Sequence, residues 1–142
     1  MKELEKLITE LATTKGILFV VTSEGVAFEL DSNPDQAPAF HNGWAEIRGE
    51  GWHAHIKLAL ITGVQFVEQE DHGTVPTLYY TRFSDNRDET VLRAYFPNPY
   101  LNEDEKPTGF QPEKLELFHR FKDRYVGQEG ITYVTRAREE RK

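Results

Sequence analysis

The 142-residue chain contains no cysteine. Disulfides, thiolate-zinc sites, iron–sulfur clusters and a cysteine nucleophile are all excluded. A cysteine-free chain also fits a cytoplasmic protein. Long apolar runs are missing too. The longest, Leu58 to Val64, is broken by Thr62-Gly63 and falls far short of the ~18 residues of a membrane helix. The first residues, Met1-Lys2-Glu3-Leu4-Glu5-Lys6, carry acids and not the apolar stretch of a signal peptide. Positive charge is scarce. Lys and Arg number 17 against 24 Asp and Glu, which leaves a net charge of −7. So acidic a chain lacks the broad basic face that neutralises phosphates, which argues against nucleic acid as a partner. No phosphate-binding glycine loop, Gly-x-Ser-x-Gly elbow or His-Glu-x-x-His helix occurs, so no catalytic constellation stands out.

What is present points to one globular domain. Domains peak at about 100–150 residues, and this length builds a core without a disulfide or metal staple. An aromatic share of 12% within 38% hydrophobic residues is too rich for disorder. Leu4, Leu7, Ile8 and Leu11 follow helical spacing and predict an amphipathic helix stopped by Gly16. From Ile17 to Tyr95 the chain reads as about seven strands joined by tight turns such as Ser23-Glu24-Gly25 and Gly49-Glu50-Gly51. Such connections predict an antiparallel meander rather than strand–helix–strand crossovers. Glu68 to Val75 reads as a polar loop. Pro112 suits the first turn of a second helix whose stripe is Leu115, Phe118, Phe121 and Tyr125, with Gly127 as its stop. Ile131 to Val134 reads as a last short strand or an ordered arm. The predicted class is α+β: a large antiparallel sheet flanked by an N-terminal and a C-terminal helix. The domain spans 1–135, and 136–142 is a charged, frayed tail.

Candidate chemistry clusters on the strands. In Trp52 to Leu60 the even positions share one face, a core face, and His53, His55 and Lys57 share the other. His53 and His55 lie about 7 Å apart along a strand. Two imidazoles so placed suit one metal, or one of them suits haem iron. They equally suit a solvated sheet face. Arg82 follows Tyr79-Tyr80-Thr81, and Arg93 precedes Ala94-Tyr95. Arginine on a tyrosine-bearing strand suits a planar carboxylate, and it also suits a cross-strand ion pair with an acid such as Glu89 or Glu68.

An ordered set of segments carries a resemblance. Phe28-Glu29, Phe40-His41, Ile47-Arg48-Gly49, Ala54-His55-Ile56-Lys57, Val64-Gln65-Phe66-Val67 and the hairpin from Phe83-Ser84-Asp85-Asn86 to Val91-Leu92-Arg93 follow in sequence. Together they resemble the bacterial haem-utilisation proteins of the ChuX/HutX type, related to the halves of the larger HemS-type carriers. The likeness runs from about Ile17 to Tyr95. It implies an α+β domain, often a homodimer, that binds haem in the cytoplasm for storage, transfer or degradation. One histidine position implicated in that family matches His55. A second, on the first strand, has no counterpart, since Ile17 to Thr22 contains no histidine. His53 shares the face of His55 and is a possible substitute. The resulting expectation is a carrier of haem or another tetrapyrrole, with His55 toward iron, Lys57, Arg82 or Arg93 toward propionates, and Tyr80 against the ring. The alternatives are a metal-binding protein or enzyme using His53 and His55, and a ligand-free dimeric interaction module.

Overall fold

A computed structural model describes residues 2–71 and 73–137. The first apolar stripe folds as its spacing demands. Helix α1 spans Lys2–Ala12, and Leu4, Leu7, Ile8 and Leu11 are all buried. Gly16 follows with a φ of +92°, which glycine adopts without the clash a Cβ would bring. Helix α2 spans Pro112–Tyr125 with proline in its first turn. There the missing N–H removes no helical bond. Phe118, Phe121 and Tyr125 are buried on its inner face. The Tyr125 hydroxyl donates to Glu10 at 2.5 Å, and Arg124 pairs with the same carboxylate. These bonds tie α2 to α1. Burial first, and then the bond to Glu10, push the Tyr125 phenol well above its ordinary range.

Nine strands are formed among the described residues: β1 Leu18–Ser23, β2 Val26–Asp31, β3 Ala39–His41, β4 Trp44–Gly49, β5 Trp52–Lys57, β6 Gly63–Glu70, β7 Thr77–Ser84, β8 Thr90–Tyr95 and β9 Ile131–Arg136. Six build one sheet in the order β2-β1-β8-β7-β6-β9, and β3-β4-β5 build a second. The α+β class is as expected, but the single seven-strand meander is not. β3 is too short for alternation to show, yet Asn42-Gly43 before β4 has φ of 52° and 79°. That is the left-handed pair a two-residue hairpin requires, and the dipeptide is its clearest sign. Leu58–Leu60 is a 3-10 turn and not the end of β5. It leads the chain from the small sheet to the large one. Glu68 to Glu70, expected in a loop, continue β6 against Thr77 to Tyr79. β9 lies parallel to β6, a pairing that needs a long crossover, and the segment containing α2 provides it. β9 includes Arg136; the rest of the expected tail, from 138, lies outside the described residues.

Cross-strand register defines two faces of the large sheet. Phe19, Ala94, Thr81 and Phe66 form one row. Their neighbours Val20, Arg93, Arg82 and Gln65 form the next and point to the other side. The first face meets α1, α2 and the small sheet in one core, to which β4 contributes Ile47. At its centre the Phe118 ring lies 5.3 Å from those of Tyr79 and Phe96 and 6.1 Å from that of Phe66. Phe118→Ala should therefore lower unfolding free energy by about 3–5 kcal/mol. Urea denaturation followed by circular dichroism measures this, and a loss below about 1 kcal/mol would contradict the packing.

Candidate functional site

The small sheet does not close fully on the large one. Between them lies a cavity of about 280 Å³. β1 and β2 contribute Phe19, Val21 and Leu30. Trp44, Ile47, Trp52 and Ile56 come from β4 and β5, and Leu92 from β8. The wall is hydrocarbon and indole, and among the described residues the only ionisable ones lining it are His55 and Lys57. Trp44 and Leu60 are both lining and exposed, so the cavity opens to solvent beside them.

The β4–β5 hairpin decides which side chains reach this place. Its two-residue turn, Glu50-Gly51, makes Gly49 and Trp52 the closing pair. Hydrogen-bonded and non-bonded pairs then alternate away from the turn. On the inner face Ala54 lies opposite Ile47, and Ile56 opposite Ala45. On the outer face Arg48 lies opposite His53, Glu46 opposite His55 and Trp44 opposite Lys57. These outer pairs occupy non-bonded positions, where side chains are nearest. Gly49 is required for a different reason. A Cβ there would come within 1.9 Å of the Trp52 indole, so the ring can cross the turn only over a glycine.

His53 and His55 are brought together, with ring centroids 5.4 Å apart and planes at 87°. Glu46 lies across from them and accepts from Arg48 Nε at 2.9 Å, with a second Arg48 nitrogen at 2.7 Å. That bond is the main reason the Glu46 carboxyl is held below the ordinary carboxylate range, with smaller contributions from His55 and His53. Among the described residues, no three His, Cys, Asp or Glu side chains converge to hold a metal ion.

The other candidates stand elsewhere. Arg82, Arg93 and Tyr80 are on the opposite face of the large sheet from the cavity. Arg82 is 5% exposed, and each of its three nitrogens donates a hydrogen bond. Nε donates to Thr90 at 2.7 Å, Nη1 to Gln65 at 2.9 Å and to Asp88 at 2.8 Å, and Nη2 to the Asp88 carbonyl. It is therefore the anchor of the β7–β8 turn, with Asp88 as its acid and not Glu89 or Glu68. The Arg93 guanidinium lies 5.8 Å from the Tyr80 ring centre, and the Tyr80 and Tyr95 rings are 4.9 Å apart. Reading the sequence did not pick out Val21, Leu30 or Trp44 as walls of a site. Alternation does place Trp52, Ala54 and Ile56 on an inner face, but it cannot tell a filled interior from an open one.

Comparison with known proteins fits this geometry. A protein-family model described only as "-like" matches residues 5–128, while no curated protein matches the sequence. Two solved structures of ChuX, one described as a heme-binding protein, superpose with TM-scores of 0.64 and 0.63. Their identities are 14% and 13%, over 86% and 87% of this chain and 74% and 71% of theirs. Holo-PhuS, a heme-binding protein from Pseudomonas aeruginosa, superposes at 0.54 with 15% identity, over 81% of this chain and 32% of its own. The chain belongs to the family of that model, and its fold is that of the ChuX structures. No helix among the described residues is long and apolar enough to cross a membrane.

The Glu46 bond sets a pH dependence. Its folded pKa lies below the unfolded value near 4.5. The stability it contributes is therefore complete above that value and lost as pH falls through the folded one. Glu46→Gln should be less stable than the wild type at pH 7, and the gap should narrow progressively below about pH 4.5. Urea midpoints of both proteins from pH 7 to pH 3 measure it, and a gap independent of pH would count against the bond.

Proposed function

We propose that this protein binds haem, or a closely similar tetrapyrrole, in the cavity between its two sheets. The observation that carries this reading is an apolar, indole-walled opening whose only ionisable lining residues, among the described residues, are one imidazole and one ammonium. The residues fit the group. A flat macrocycle needs apolar walls with few placed polar contacts, and Trp44, Trp52, Phe19 and Ile56 provide them. His55 would hold the iron through a neutral ring nitrogen, with His53 beside it as the substitute donor. Lys57 would pair with a propionate. Bound haem would supply iron with open coordination positions and two carboxylates. The names of the structural neighbours support the same ligand class.

In this reading the protein is a cytoplasmic, homodimeric haem carrier concerned with storage, transfer or utilisation. Arg82 takes no part, because it is buried and already bonded to Thr90, Asp88 and Gln65. Arg93 and Tyr80 serve a ligand only on the other face of the large sheet. β1 carries no histidine, so the second histidine that the resemblance implies has no counterpart on that strand.

Titration of the purified protein with haem should shift the Soret band and quench tryptophan fluorescence, because both tryptophans line the cavity. His55→Ala should weaken binding at least tenfold and change the spectrum. Trp44→Ala should weaken it without changing the iron's spectral signature. A spectrum indistinguishable from that of free haem would overturn the proposal. Stoichiometric zinc, nickel or iron without porphyrin in untreated protein would favour the metal-binding alternative.

A further inference from the structure

The two ends of the cavity differ in charge. At one end stand His55 and Lys57, beside the exposed side chains of Trp44 and Leu60. Lys57 lies opposite Trp44 across the hairpin, and Trp44 lies opposite His41. The outer face beside the mouth therefore carries His41, His55 and Lys57. The strands of the small sheet hold a single carboxylate, Glu46, and Arg48 neutralises it at 2.7 Å. Among the described residues Lys57 has no acid partner. At the other end, Leu30 and Trp52 line both the cavity and a neighbouring surface groove. Among the described residues that groove carries Glu29, Asp31, Asp35 and Glu50 against one lysine, Lys15. A field of this sense draws an anionic group to the Lys57 end and repels it from the Trp52 end.

Between the ends the wall is apolar and long. It follows β5 from Trp52 to Lys57, which at about 3.3 Å per residue is about 17 Å. Half of a bilayer's hydrocarbon core of about 30 Å, the depth of one acyl chain, is about 15 Å. One extended chain therefore matches the wall in length. The volume of about 280 Å³ lies just under the range of about 300–1,000 Å³ that drug-sized ligands fill. A macrocycle keeps an edge outside the mouth of such a cavity, whereas a single chain is enclosed.

We propose that the cavity also takes a second class of ligand, a straight-chain aliphatic carboxylate of medium length. The tail lies along β5 against Ile47, Ile56 and Leu92 and ends at the Trp52 indole. The carboxylate sits at the mouth, where Lys57 donates a charge-assisted bond and His55 is the second donor. Burial of the tail supplies the affinity. The cation at one end and the acids beyond the other choose the headgroup and its direction. The inference stands on the cavity and its charges, not on the haem reading. Where haem also binds, the two ligands exclude each other, since both need the same walls.

The test titrates the purified protein with hexanoate, octanoate, decanoate, dodecanoate and hexadecanoate. Tryptophan fluorescence reads binding, since both tryptophans line the cavity, and calorimetry gives the stoichiometry. Affinity should rise about fourfold per added methylene up to dodecanoate and then level off, because longer tails outrun the wall. Decanol and decylamine should bind at least about tenfold more weakly than decanoate, the worth of one charge-assisted bond. Lys57→Glu, at an exposed position, should reverse that order and favour decylamine. Lys106→Glu, the same charge change in the exposed loop before α2, should alter neither affinity. Equal binding of decanoate and decanol would overturn the proposal, as would a Lys57→Glu variant that still prefers the carboxylate. A protein that binds haem but none of the carboxylates would overturn it and leave the haem reading intact. Saturable binding of decanoate with a haem spectrum identical to that of free haem would support it and remove the haem reading.

Discussion

The structure depends on how one apolar face of a six-stranded sheet is covered. That face carries Phe19, Ala94, Phe83 and Phe66, and leaving it in water would forfeit the main driving force of folding. Three separate pieces share the task. α2 sets Phe118 among Phe66, Tyr79 and Phe96. α1 adds its leucine stripe and is tied to α2 through Glu10. The remaining area, over β1, β2 and β8, falls to three short strands. The inner face of that small sheet carries the short side chains Ala45 and Ala54. The cavity is the space left by this incomplete cover, and its apolar walls are core residues that have lost one neighbour.

The site follows from that arrangement together with the period of a strand. Side chains alternate across β5, so the strand that closes the core with Trp52, Ala54 and Ile56 must turn His53, His55 and Lys57 away from it. A histidine can line such a cavity only near the border of the small sheet, and His55 and Lys57 do so. The same alternation on β7 and β8 sends Arg82 and Arg93 to the far side. Residues with the right chemistry are thus sorted by parity before any ligand is considered. Burial then divides the two arginines. Arg82 is enclosed and bonded to Thr90 and Asp88 of its own hairpin and to Gln65 of β6, as a buried guanidinium has to be. Arg93 rests on a tyrosine ring.

Much of this was legible in the residue order. Both helices could be read from 3.6-residue spacing, because Leu4, Leu7, Ile8 and Leu11 and then Phe118, Phe121 and Tyr125 each leave one stripe. The β1–β2 and β4–β5 hairpins could be read from glycine at their turns. β3 was not legible, since three residues are too few for alternation, although Asn42-Gly43 marks the turn after it. The parallel place of β9 was also hidden. Ile131 to Arg136 states that it is extended but not which edge it joins. That is settled by where the crossover through α2 returns the chain.

By itself the sequence determined the chemical means available to this protein. Without cysteine, strong ligation falls to imidazole, phenolate and carboxylate. With a net charge of −7, any hold on an anion is local. It also determined the face on which each strand residue stands, because that needs only parity. Tertiary structure decided which faces meet. It placed His55 and Lys57 beside the two indoles, kept Arg82 and Arg93 on the other side of a sheet, and left the edge of β2 open. Parity is local to a strand, whereas the order of strands and the piece that covers each face come from long-range packing, which no short stretch of sequence contains.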